Sequence, residues 1–114
     1  MAMAQTGLRS EVIVFWENGF PSADIAQISS SQAKELFSDF EITSFDELPA
    51  RLETARVLVL PFGSSFPEDR WAAIHPFLMR GGNLVVLGGR PFTRPVFRTA
   101  DGHWQLRPET QAFA

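Results

Sequence analysis

The chain has 114 residues, 45% of them hydrophobic and 20% charged, with a formal net charge of -3. That length sets a single domain with a modest core, and the acidic balance argues against nucleic acid, which needs a basic patch. With no cysteine, disulfides, Cys-ligated zinc and thiol nucleophiles are all excluded.

The first ten residues, MAMAQTGLRS, lack the apolar core of a signal peptide, and no later run approaches membrane-spanning length. Residues 1–10 read as a disordered lead-in and residues 11–114 as one domain, with no membrane contact expected. Glu11–Glu17 (EVIVFWE) is the first strand, apolar through its middle and so buried on both faces. It ends in the loop Asn18–Ser22, which holds a glycine and a proline. Ser30 or Ser31 is a candidate N-cap for a short helix over Gln32–Ser38, with Ala33, Leu36 and Phe37 turned inward.

Phe40–Phe45 alternates apolar and polar, as a strand nearer the sheet edge does. Ser44 and Glu47 have capping-box spacing and would open a helix across Asp46–Glu53, with Pro49 in its first turn and Leu48 and Leu52 inside. Arg56–Pro61 is the central strand. After the loop Phe62–Ser65 a helix should begin near Pro67, with Glu68 and Asp69 in its first turn. Trp71, Ile74, His75 and Leu78 fall at i, i+3, i+4 and i+7, predicting its apolar face, with a kink at Pro76 and a stop at Gly81–Gly82. Asn83–Gly88 is the next strand, so two apolar strands separated by a helix form a βαβ unit with parallel pairing. Beyond Arg90, Val96–Arg98 and Trp104–Arg107 flank the turn Ala100–Gly102 as a β-hairpin. Five arginines lie between Arg80 and Arg107, which makes this third locally basic and reads as a solvated surface.

In open α/β sheets, ligands collect beyond the carboxyl ends of the strands. The candidate ligand-binding residues are therefore Glu17, Asn18, Gly63, Ser64, Ser65, Gly89 and Arg90. No G-x-G-x-x-G or Walker pattern occurs, and no cofactor is expected. The elbow G-x-S-x-G is absent because Phe66–Pro67 follows Ser65, and His75 and His103 lack the placement that would activate either serine. Two histidines without ligand-like spacing make no metal site. Glu17 stands at a strand end without a partner carboxyl for glycoside hydrolysis. Trp16, Phe20, Phe62, Phe66 and Phe92 fall at or just past strand ends, where aromatic faces seal a partner domain or stack on a sugar; docking is the favoured reading.

Val57–Gly63, Trp71–Arg80, Gly81–Gly82 and Leu84–Gly89 resemble the class I glutamine amidotransferase-like superfamily. There a strand ending in a Gly-containing turn is followed by a helix, GG, a second strand and the nucleophile elbow. Glu17 is similarly placed to an acidic residue of some members, and the likeness spans residues 11–92. The elbow that carries cysteine in the enzymes reads Gly88–Gly89–Arg90–Pro91 here, and no catalytic histidine segment follows. The phrases PFGSSFP and GGNLVVLGGRPF look most like nucleophile-less domains attached to bacterial glycoside hydrolases and related large secreted proteins.

The resemblance implies an α/β fold: a three-layer sandwich with a mainly parallel, flavodoxin-like sheet, followed by the hairpin. It implies a non-catalytic accessory domain, an N-terminal piece of a longer, secreted or periplasmic, carbohydrate-active protein. The partners would be its other domains or subunits, with carbohydrate as a further ligand. The alternatives are a small hydrolase using Ser64 or Ser65, and a domain binding a sugar, an anion or a nucleotide.

Overall fold

The computed structural model describes residues 12–107; the expected lead-in, residues 1–10, lies outside them. The chain forms a mixed α/β fold with a parallel sheet of four strands and a second sheet of three. The first sheet holds β1 (Val12–Phe15), β2 (Glu41–Thr43), β3 (Val57–Leu60) and β5 (Asn83–Val86), in the order β2-β1-β3-β5. Every neighbouring pair is parallel, with Ile13 beside Leu58 and Leu58 beside Leu84.

Strand alternation sorts the apolar residues into two clusters. Ile13, Phe15, Leu58 and Leu60 point to one face, where they meet Leu48 and Leu52 of α2 (Leu48–Leu52) and Ile74 and Phe77 of α3 (Trp71–Met79). Val14 and Val59 point to the other, against Ala33 and Phe37 of α1 (Ser30–Leu36) and its C-cap. β1 and β3 are covered on both sides, which is why their middles are apolar without interruption.

The helices differ from expectation in ways that have local causes. α1 starts earlier than Gln32, because Ser29 and Gln32 form the reciprocal capping box: Gln32 N–H donates to Ser29 Oγ at 3.2 Å, and Ser29 N–H to Gln32 Oε1 at 2.9 Å. Ala33 and Phe37, four apart, then take the inner face and leave Leu36 64% exposed, not inward. α2 is shorter than Asp46–Glu53, since Phe45–Glu47 turn before Pro49 enters the first helical turn.

In α3 the inner face is Ile74 and Phe77, while Trp71 and His75 lie outside. Pro76 does not end the helix; Gly82 N–H reaches back to Phe77 O at 2.9 Å, and Gly81 takes the left-handed cap with φ +99°.

The second sheet was only half expected. The hairpin forms as β6 (Arg94–Arg98) and β7 (Trp104–Leu106), antiparallel. Ser65–Pro67, read from sequence as loop and helix start, is instead strand β4, parallel to β6 with Phe66 beside Pro95. A 3₁₀ turn, Glu68–Arg70, links it to α3. Arg107 fastens this sheet to that turn through Glu68, at 2.6 Å from Nε and 3.0 Å from the terminal nitrogen. The paired Glu68 carboxylate raises the Arg107 pKa further. No helix among the described residues is long and apolar enough to cross a membrane.

Candidate functional site

The carboxyl ends of β1, β3 and β5 do converge, through backbone more than through side chains. Ala23 N–H donates to Phe62 O at 3.1 Å, and Ser64 N–H donates to Ala23 O at 2.9 Å. This holds the loop after β1 against the loop after β3. Gly63 sits at φ +66°, and a Cβ there would run into the Ala23 carbonyl, so both the turn and the close approach require glycine.

The loop after β5 closes on the same point. Arg90 N–H donates to Ser64 Oγ at 2.9 Å, and Ser64 Oγ donates in turn to Asp24 Oδ2. Gly89 lies so close that a Cβ would overlap Ser64 N and Gly63 C. Asp24 holds φ +75°, a region that Asp enters more readily than most residues. Three loops are thus joined by one buried hydroxyl that both donates and accepts.

Of the seven candidate residues, Gly63, Ser64, Gly89 and Arg90 meet here. Glu17 is used elsewhere: its Oε1 accepts the Phe45 N–H at 2.8 Å and so anchors the turn before α2. Asn18 is exposed in the tight turn after β1. Ser65 opens β4, buried, and its hydroxyl has no hydrogen-bond partner among the described residues.

Asp24 is the residue that sequence reading missed. Its loop carried no motif, and only the general tolerance of Asp for left-handed backbone pointed to it.

The aromatic residues at the strand ends are divided. Phe20 and Phe62 are fully buried and Phe66 nearly so, which corrects the expectation of aromatic faces presented outward. Phe15, Phe20 and Phe62 pack ring to ring at 4.8–5.8 Å, and Trp104 of the hairpin adds to Phe20 at 5.4 Å. These rings weld the second sheet to the first. The chain Phe66–Phe92–Trp71–His75 runs outward to solvent.

Chemically, the junction offers little reactivity. Neither histidine hydrogen-bonds Ser64 or Ser65 among the described residues: His75 lies over Trp71 with centroids 5.2 Å apart, and His103 Nδ1 is 3.0 Å from Asp101 Oδ2. A carboxylate is a weak base for a hydroxyl at neutral pH. Among the described residues no group of three or more His, Asp and Glu side chains gathers where an ion could be held. A cavity of about 420 Å³ lies at the opposite end of the sheet, against the first residues of β1, β3 and β5, with Arg56 and Arg80 in its lining. The basic residues of the last third are engaged: Arg98 lies over Phe45 and Trp104 at 4.8 and 4.7 Å, and Arg94 Nε donates to Arg107 O.

The chain matches no protein-family model, no curated protein and no solved structure.

Proposed function

We propose that this chain is a non-catalytic accessory domain of a larger, carbohydrate-active protein, docking to neighbouring domains or subunits. It would be built on the three-layer, flavodoxin-like scaffold of the class I glutamine amidotransferase-like superfamily. The observation that carries this reading is the junction at Ser64. Gly88–Gly89–Arg90–Pro91, where the enzymes of that superfamily place their nucleophile elbow, brings its backbone onto Ser64 here. Ser64 is 1% exposed, and its hydroxyl is engaged on both sides, by Asp24 and by the Arg90 amide. A nucleophile needs a base and an open approach; this hydroxyl has the carboxylate beside it but is buried away from any approach. The link to carbohydrate-active proteins rests on the phrases PFGSSFP and GGNLVVLGGRPF.

Treatment with a fluorophosphonate probe followed by peptide mass spectrometry tests the non-catalytic part. No adduct is expected at Ser64 or Ser65. An adduct that disappears in Ser64→Ala or Ser65→Ala would make the protein a hydrolase. The larger-protein part is tested by the native reading frame: continuation past Ala114 into a domain with paired catalytic carboxylates supports it, and a stop codon there overturns it.

A further inference from the structure

Strand β5 has the sequence of an interior strand and the position of an edge. Neither β5 nor its flanks, from Gly81 to Gly89, carries a charge, and Leu84, Val85 and Val86, with Leu87 just beyond, are apolar on both faces. Parallel strands of that kind are normally covered on both faces and flanked on both sides. Yet among the described residues β5 has one neighbour, β3. Val85 and Leu87 are 40% and 39% exposed, beyond the reach of the α1 cluster that covers Val14 and Val59.

The hydrogen-bonding groups of β5 that have no partner among the described residues follow from the ladder. Asn83 N–H donates to Arg56 O, just before β3, and the N–H of Leu87, just past β5, donates to Leu60 O on β3. Alternation then turns the N–H and C=O of Leu84 and Val86 away from β3, to the open side. An edge of this kind is a template for another strand.

We infer that β5 pairs antiparallel with β5 of a second copy of this chain, joining two four-stranded sheets into one continuous sheet. The geometry is self-consistent. With Val85 on the two-fold axis, Leu84 stands opposite Val86 of the other copy, and these pairs exchange N–H···O bonds through the groups that face outward. Val85 then meets its counterpart as a close, non-hydrogen-bonded pair on one face of the sheet. The exposed Val85 and Leu87 of both copies form one apolar cluster there. No like charges oppose one another within the paired segment. Arg80, just before it, is folded away, its guanidinium donating to Leu52 O and lying 5.5 Å from the Phe77 ring. Two identical faces related by a two-fold axis close on themselves and stop at a dimer. This inference does not depend on the carbohydrate reading.

Sedimentation equilibrium of the chain from about 1 µM to about 1 mM, the span in which weak association is readable, tests it. The mass should rise to twice the monomer value. Val85→Lys, at a position already 40% exposed, should hold the monomer mass throughout while keeping the far-UV circular dichroism of the parent. Phe40→Lys, exposed beside β2 at the far edge, should leave the association constant within a factor of two. A monomer at every concentration overturns the inference and leaves the β5 edge to a strand from outside this chain. A dimer that survives Val85→Lys also overturns it, because the interface would then lie elsewhere.

Discussion

At one edge of the four-stranded sheet, β2 spans only Glu41–Thr43 and carries a charge, with Glu41 paired to Arg51 at 2.9 Å. At the other, β5 is uncharged, with Val85 and, just past its end, Leu87 partly open to solvent. Charged edges resist pairing with other chains, and uncharged apolar ones invite it. The two edges of one sheet thus have opposite characters, and the difference lies in composition rather than in backbone geometry. The rigid end of β5 adds to the contrast. It runs straight into the Gly88–Gly89–Arg90 loop, which the Ser64 hydroxyl pins to the loops after β1 and β3. An edge held in place is a better template than one that frays.

The largest effect should come from Gly89→Val, which forces a side chain into Ser64 N and Gly63 C. Denaturant unfolding should show a loss of about 2–3 kcal/mol or more, the cost of overpacking a closed site. A change within experimental error would mean that the end of β5 is not pinned there. Ser64→Ala comes next. It strips the Arg90 N–H of its acceptor and the Asp24 carboxylate of its donor, and should cost about 1–3 kcal/mol. Ser65→Ala is the matched control. Its hydroxyl is buried without a partner among the described residues, so its removal should be neutral or slightly stabilising.

Glu41→Val sharpens the comparison of the edges themselves. Loss of a partly exposed ion pair should cost less than about 1 kcal/mol, yet the substitution makes β2 resemble β5. Light scattering should then reveal species larger than those of the parent; an unchanged distribution would mean that charge is not what closes that edge.

The smallest effect lies in the hairpin turn, away from both edges. The Thr99 hydroxyl, then His103, holds the Asp101 carboxyl below its ordinary pKa. A pKa lowered by folding contributes stability above the unfolded value, and that contribution is lost as pH falls through the folded one. Amide shifts of Thr99 and His103 should therefore move at acid pH below the ordinary aspartate range, without global unfolding.

Much of this architecture was legible because it is local. The apolar runs of β1, β3 and β5, the Gly81–Gly82 stop and the hairpin all declare themselves within a few residues. β4 did not, because Ser65–Pro67 becomes a strand only by pairing with Arg94–Val96, a distant segment. A proline beside glutamate and aspartate also looks like a helix start, and the 3₁₀ turn that follows partly honours that signal.

The site was legible in position and not in role. Gly63, Ser64, Gly89 and Arg90 follow strand ends in the sequence, and they do meet. That Ser64 would be a fastener depends on Asp24, forty residues earlier, and no local pattern shows that contact. The strand-end phenylalanines were misjudged for the same reason. A chain that adds a second sheet over the strand ends has more core to fill than a single sheet would need.

Amide hydrogen exchange along β5 tests the difference between the edges most directly. Asn83 and Leu87, whose N–H groups donate to Arg56 O and Leu60 O, should be protected at every concentration. Leu84 and Val86 should exchange quickly in dilute protein, slow as concentration rises, and stay fast in Val85→Lys. Fast exchange at Leu84 and Val86 at the highest concentration would contradict the pairing of β5 with its copy.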